Sequence, residues 1–282
     1  MQLRLELSLE MEAQMGYRNQ LLKKFPFTFA TFIFALISVF FLTGCESLQM
    51  LNLDDSQMGE MGTEAFDKIK SETPTETNPI TNRYVKCVAN AILEVVDDPT
   101  GVKEWEVVVF RSADVNAFAL PGGKIGVFTG LLSVATTQDQ LAAVLGHEVA
   151  HVTKRHGKQR VQQQVIAQGG LSILEGVIGD NEMLMAAVGV GAQYGVLLPF
   201  SRAHESEADL VGLDYLAKAG FNPQGAVQLW QNMEAAGGGK APEMLSTHPS
   251  GSTRIKDLQS KMTKALQTQA IAKNMGKNPQ CK

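Results

Sequence analysis

The stretch GHEVAHVTKRH, residues 146–156, holds three of the chain's five histidines, with a glutamate directly after the first. His147 and His151 are four apart, so on a helix they stand one above the other, where two imidazoles can share a metal ion. Glu148 is rotated about a third of a turn from His147. That places it near the open coordination position, where a carboxylate can take a proton from an attacking water. The competing reading is a solvated helix face with surplus imidazoles. Val144, Leu145, Val149, Ala150 and Val152 make the surroundings apolar and argue for the metal.

A hydrolytic site of this kind needs a third protein ligand and a fourth position kept for water. His156 lies five residues beyond His151, off the shared face, and Gly157 stands where a metzincin would carry its third histidine. His156 therefore reads as a helix-end cation set against the carbonyl dipole. The stretch SRAHESEADLVGLDYL, residues 201–216, offers Glu205 and Asp209 four apart. If the two helices pack antiparallel, Glu205 completes a His₂Glu set. Asp209, one turn along, then accepts a hydrogen bond from a ligand's second nitrogen and fixes its tautomer. The alternative is an ordinary acidic face with Glu205 and Glu207 equally solvated. His204 is a further candidate ligand, without a supporting partner at helical spacing.

These groups need elements to carry them. Apolar residues at helical spacing predict a helix over 81–96, ended by the turn residues DDPTG. WEVVVF (105–110) reads as a buried strand. NAFALPGGKIGVFTGLL (116–132) reads as strand, tight turn at Pro121-Gly122-Gly123, and strand, so a small β-meander is expected. Thr137 and Gln140 form a capping-box pattern opening the site helix, which is expected to close at Gly157. The uncharged run 183–200 reads as a buried or site-covering helix rather than a membrane span, given its marginal length and its glycines. A helix over 202–218 follows, then one started by Asn222-Pro223, a loop over 237–252, and an amphipathic helix over 253–269. No internal repeat is present. The class is α+β: mostly helical, with a small sheet beside the active-site helix.

The N-terminus bears on compartment. Lys23 and Lys24 precede an uncharged run from Phe25 to Cys45 that ends in Leu42-Thr43-Gly44-Cys45. A positive flank, an apolar core and small residues at the end make a secretory signal. LTGC resembles a lipobox, which implies cleavage before Cys45 and its lipidation. Residues before about 15 lie outside a normal signal. The expected layout is a signal peptide over 1–44, a lipidated tether over 45–79 with a short helix near Glu64–Lys70, a catalytic domain over 80–270 and a tail over 271–282. An aspartate in place of Glu46 would resemble an inner-membrane retention signal, so in a Gram-negative host Glu46 points to the outer membrane facing the periplasm. Cys87 and Cys281 remain as an even pair in an oxidising compartment and are expected to form a disulfide. A net charge of −4 without a basic stripe excludes a general attraction for nucleic acid. Nothing in the sequence specifies an oligomeric state.

H-E-x-x-H followed by E-x-x-x-D, with NAFALPGG and IGVFTGLL before and GFNP after, resembles the M48 family of zinc metallopeptidases. Within it the chain is most similar to the Oma1-like group and its bacterial lipoprotein relatives, over roughly residues 80–260. The resemblance implies a gluzincin fold, with zinc held by His147, His151 and Glu205. It makes Glu148 the general base and Asp209 the orienting carboxylate. It also implies a substrate edge at Asn116, Ala117, Phe118 and Ala119, which an extended peptide joins by β-augmentation. His248, in STHPS, matches a loop histidine that steadies the oxyanion or swings in as a fourth ligand. The implied substrates are misfolded or damaged envelope proteins. The alternative is an envelope chaperone or assembly lipoprotein whose zinc site is structural or latched. A deformylase fits poorly, since its cysteine ligand motif is missing.

Overall fold

The computed structural model describes residues 53–167, 200–236, 244, 248 and 252–282. The signal segment with Cys45, the run 183–199 and most of the loop 237–252 lie outside the described residues. In order, the elements are helices α1 (Asp55–Glu72) and α2 (Pro79–Leu93), then strands β1 (Glu106–Phe110), β2 (Ala117–Leu120) and β3 (Lys124–Phe128). After a 3₁₀ turn at Thr129–Ser133 come α3 (Gln138–Thr153), α4 (His156–Ala167), α5 (Arg202–Lys218), α6 (Gln224–Ala236) and α7 (Ser252–Asn274). Seven helices and three strands among the described residues make a mostly helical α+β fold. None of the described helices is long and apolar enough to cross a membrane.

α3 is the centre. Thr137 accepts the Gln140 N–H while the Gln140 side chain reaches back to the Thr137 N–H, satisfying two otherwise orphaned donors. Every residue from Gln140 to Thr153 is buried, so this helix has no solvent face. Leu141, Val144, Leu145 and Val149 belong to one apolar core shared with α2, α5, α6 and the sheet.

The sheet order is β1-β3-β2, with β1 parallel to β3 and β2 antiparallel to it. The expected meander is therefore wrong: β3 is the middle strand. β1's other side is occupied by extended chain, where Glu76 N–H donates to Val109 O and Arg111 N–H to Pro74 O. The observed order sets Phe110 beside Phe128 and Phe118 across from Gly126. With Phe66 of α1 these rings form a cluster with centroids 5.7–6.2 Å apart. Local alternation cannot reveal such a gathering of rings.

The stretch expected as a tether also differs. From Asp55 it is helix, capped by Asp54 and Gln57, with Met58, Met61, Ala65, Phe66 and Ile69 buried at helical spacing. Burying Phe66 and Ile69 stabilises by roughly 1.5–3 kcal/mol each, enough to dock α1 on the sheet. Only its intervening polar residues made it resemble a linker. At the other end, the sulfurs of Cys87 and Cys281 lie 1.99 Å apart in a disulfide with 5.6 Å between Cα atoms. Cys281 N–H donates to Gln138 Oε1, and the Gln138 amide donates to Pro279 O. The tail thus ties α2 to the first residue of the site helix.

Candidate active site

α3 and α5 cross where two glycines meet. A Cβ on Gly212 would stand 2.8 Å from the His147 nitrogen, and one on Gly146 would stand 3.0 Å from the Gly212 oxygen. A side chain at Gly212 would push the backbones apart, and one at Gly146 would require its neighbour to give. From the crossing His147 faces Asp209 and His151 faces Glu205, so the pairs run in opposite directions along the two helices.

His147 Nε2 and His151 Nε2 are 3.0 Å apart. Glu205 Oε2 lies 3.5 Å from the first and Glu205 Oε1 3.5 Å from the second. His248 Nδ1 stands 3.3 Å from His147 Nε2 and 3.0 Å from Glu205 Oε1. These four buried groups offer donor atoms within 4.8 Å of one another. The outer nitrogens fix what the inner ones present. His147 Nδ1–H donates to Asp209 Oδ1 at 3.0 Å, which leaves a lone pair on Nε2. His151 Nδ1 meets His156 Nδ1 at 2.9 Å and, donating there, leaves its Nε2 as a second lone pair. Two lone pairs aimed at each other repel, and a cation between them removes the conflict. Imidazole and carboxylate together suit zinc.

Glu148 is only 3% exposed. The Ala119 backbone beside this carboxylate favours its charged form. Oε1 has no hydrogen-bond partner and lies 3.5 Å from His248 Nε2. Burial holds this carboxyl above its usual range, against the opposing pull of His248 and His147. Asp209 behaves oppositely: burial would raise it, but hydrogen bonds from Arg254 and His147 bring it down to about 2. Burial drives His151 well below the ordinary imidazole value. Burial also disfavours a charge on His248, but Glu148 and Glu205 beside it raise its pKa overall.

Three features escaped sequence reasoning. Arg254 of α7 contacts Glu205 Oε2 through its terminal nitrogen at 2.7 Å and holds Asp209 through Nε and a second terminal nitrogen at 2.6 and 2.7 Å. Its guanidinium lies 3.9 Å from the Trp230 ring centroid. The only hint was a cation in the first turn of a helix, where the dipole disfavours it. The second is His156, which is fully buried and has its pKa lowered to about 4 by burial, so it is neutral and no helix-end cation. α3 does not run to Gly157: Arg155, at φ 58°, breaks it and swings His156 back onto His151. Third, Phe200 stacks on His151 with centroids 3.9 Å apart. Glu205 is fully buried whereas the Glu207 side chain is 49% exposed, so the two are not equally solvated. His204 bonds Gln159 and stacks on His156, outside the four-group cluster.

β2 borders the site. Phe128 N–H donates to Asn116 O, so by strand alternation Phe118 and Leu120 also bond to β3. The backbone groups of Ala117 and Ala119 therefore face the free edge. Phe118 turns its ring into the aromatic cluster, and the Asn116 side chain accepts the Ala117 N–H.

The family model described as Peptidase family M48 matches residues 79–262. The chain belongs to this family. It is 36% identical to the mitochondrial metalloendopeptidase OMA1 of Schizosaccharomyces pombe, over 71% of this chain and 59% of that protein. Against the mitochondrial metalloendopeptidase OMA1 of Bos taurus the identity is 32%, over 87% of this chain and 50% of the relative. Against the beta-barrel assembly-enhancing protease of Escherichia coli (strain K12) it is 26%, over 74% and 44%. The chain thus spans about half the length of these M48 relatives. Both helices of the four-group cluster, and His248, fall inside the matched M48 region.

Proposed function

We propose that this M48 protein is a lipid-anchored zinc metalloendopeptidase of the bacterial envelope, acting on misfolded or damaged envelope proteins. The observation that carries the reading is a buried carboxylate, Glu148, beside converging lone pairs of His147, His151 and Glu205. These three would hold zinc, which would supply Lewis-acid polarisation of the scissile carbonyl and ease deprotonation of a water. Glu148 takes that proton and delivers it to the leaving amine. Asp209 and His156 hold the two imidazoles in register, and the free edge of β2 aligns an extended chain through backbone groups. Support for the compartment comes from the LTGC ending at Cys45 and from relatives named as beta-barrel assembly-enhancing proteases. Glu46 supports the outer membrane.

The test compares cleavage of an unfolded protein by the zinc-loaded chain and by Glu148→Gln. Loss of turnover by roughly 10²–10⁴-fold at unchanged zinc content is expected; equal activity would sink the assignment. Glu205→Ala is expected to lower zinc content itself.

His248 favours a second reading of the resting state. Its Nδ1 sits among the other three donors, and four protein ligands leave no position for substrate. In this reading the site is latched, and an envelope chaperone role would use the latched form. His248→Ala then raises cleavage. A fall in cleavage would instead place His248 in the reaction, beside the Glu148 oxygen that lies 3.5 Å away.

A further inference from the structure

Only Lys154 and Arg155 separate α3 from α4. The Lys154 N–H donates back to Ala150 O and ends α3, and the Arg155 carbonyl accepts the Gln159 N–H at 3.0 Å and opens α4. Arg155 makes the turn at φ 58°, a left-handed conformation that glycine adopts freely and a residue with a Cβ adopts at a cost. The turn brings His156, the first residue of α4, back to set its Nδ1 2.9 Å from His151 Nδ1. Glycine would turn without strain, but the arginine side chain supplies what glycine lacks. Its Nε donates to the two Asp55 carboxylate oxygens at 2.9 and 3.0 Å, and one terminal nitrogen donates to Asp55 Oδ2 at 2.8 Å and to Pro99 O at 2.7 Å. These hydrogen bonds hold the Asp55 carboxyl below its usual range, against the effect of burial. The head of α1, the turn at Pro99 and the α3–α4 joint therefore share one anchor.

We infer that the Asp55–Arg155 bridge positions His151, a proposed zinc ligand, by holding the α3–α4 joint in the turn that keeps His156 behind it. The inference rests on the zinc reading of the four-group cluster and adds α1 to the support of that cluster. Asp55 and Arg155 are positioning residues, and neither belongs to the cluster itself. A plainer account, in which the bridge only docks α1, fits poorly. Met58, Met61, Ala65, Phe66 and Ile69 already bury one face of that helix, and a partly exposed ion pair adds little to docking. Nor do the other contacts of His156 fix its direction. Stacking on His204 at 4.4 Å leaves the ring free to turn in its own plane, and Glu207 beside Nε2 is half exposed. What sets the direction is the backbone path through Arg155. α1 begins ten residues after Cys45, so the helix that follows the proposed anchor reaches, through one arginine, the imidazole behind His151.

The experiment measures the zinc affinity of the full chain by chelator competition, in a double-mutant cycle of Asp55→Asn and His156→Phe. Asp55→Asn acts one step further out than a direct partner of a ligand, so its loss should be about fivefold, below the roughly 10–100-fold of such partners. Once His156 is replaced, Asp55→Asn should cost nothing more. Arg155→Lys keeps a cation without the planar fork and should follow Asp55→Asn. Both side chains of the bridge are partly exposed, so neither variant strands a buried charge and both should fold. The second readout is the imidazole nitrogen spectrum of the zinc-free chain, tractable with five histidines. His151 should show the Nδ1–H tautomer in the parent and a mixture in both variants, whereas a bridge that only docks α1 shifts melting and leaves the spectrum alone. An unchanged zinc affinity, an equal loss with and without His156, or an unchanged His151 tautomer overturns the inference and leaves the zinc reading intact. If the parent takes up no zinc, the zinc reading fails instead, and the spectrum decides the bridge by itself. A mixture in both variants then supports the bridge, and the parent tautomer in both refutes it.

Discussion

His147 and His151 stand four residues apart on one buried helix, yet their outer nitrogens are supported by opposite means. Behind His147 is a charged device: Asp209, held down to about 2 by Arg254 and His147 itself despite its burial. Behind His151 is a neutral one: His156 accepts at Nδ1 and turns Nε2 toward Glu207, 3.3 Å away. The first is sealed inside the protein. The second ends at a half-exposed carboxylate. The contrast teaches that one helical repeat can place two equivalent imidazoles and still leave their basicity to different neighbours. A full carboxylate raises the electron density of His147 more than a neutral imidazole raises that of His151.

The largest effect should come from the charged side. Asp209→Ala strips His147 of its acceptor and leaves Arg254 with fewer buried counter-charges. Breaking a buried pair costs about 3–5 kcal/mol, and zinc affinity should fall by roughly 10–100-fold. Thermal melting and chelator competition would measure both. His156→Phe should come next, with affinity down about tenfold and a smaller loss of stability. An equal affinity loss in the two variants would erase the distinction between the charged and the neutral support.

Acid separates the two sides further in the chelated chain. A histidine whose folded pKa is depressed brings no penalty above its unfolded value of 6.5. Below that value the unfolded chain binds the proton first, and stability falls until the folded pKa is passed. His156, at about 4, thus sets a window from 6.5 down to about 4, joined by the lowered His151 and His204. Its share is at most about 3 kcal/mol. Asp209 has its stabilisation in full above 3.8 and loses it as pH falls through about 2. His156→Phe should lessen the pH dependence of melting between 6.5 and 4 and leave the loss below 3.8 unchanged. The smallest change belongs to Glu207→Gln. At 49% side-chain exposure its contact with His156 is screened, and a shift below about 1 kcal/mol is expected. A larger shift would show that the neutral side needs its terminal charge as much as the other side does.

His147, Glu148 and His151 could be placed from the sequence because the helical repeat alone puts them together, whatever surrounds the helix. The capping box at Thr137 and Gln140 was legible for the same reason, since both partners lie within one turn. Glu205 and Asp209 were legible as a pair at helical spacing. That they meet His147 and His151 depends on Gly146 and Gly212 letting two helices touch, an event between segments some sixty residues apart. Arg254 left almost no trace, because its partners come from α5 and its stacking surface from α6. The direction of His156 turned on a single backbone angle at Arg155, which no side-chain pattern encodes. α1 was misread because its buried positions are diluted by polar ones, and only the sheet it covers explains its apolar face. The sheet order was likewise decided by four phenylalanines gathering from separate strands and a helix. Short-range periodicity thus specified the chemistry that lies within one helix. The supports and walls around that chemistry, contributed by distant segments through burial and charge pairing, were set by tertiary packing alone.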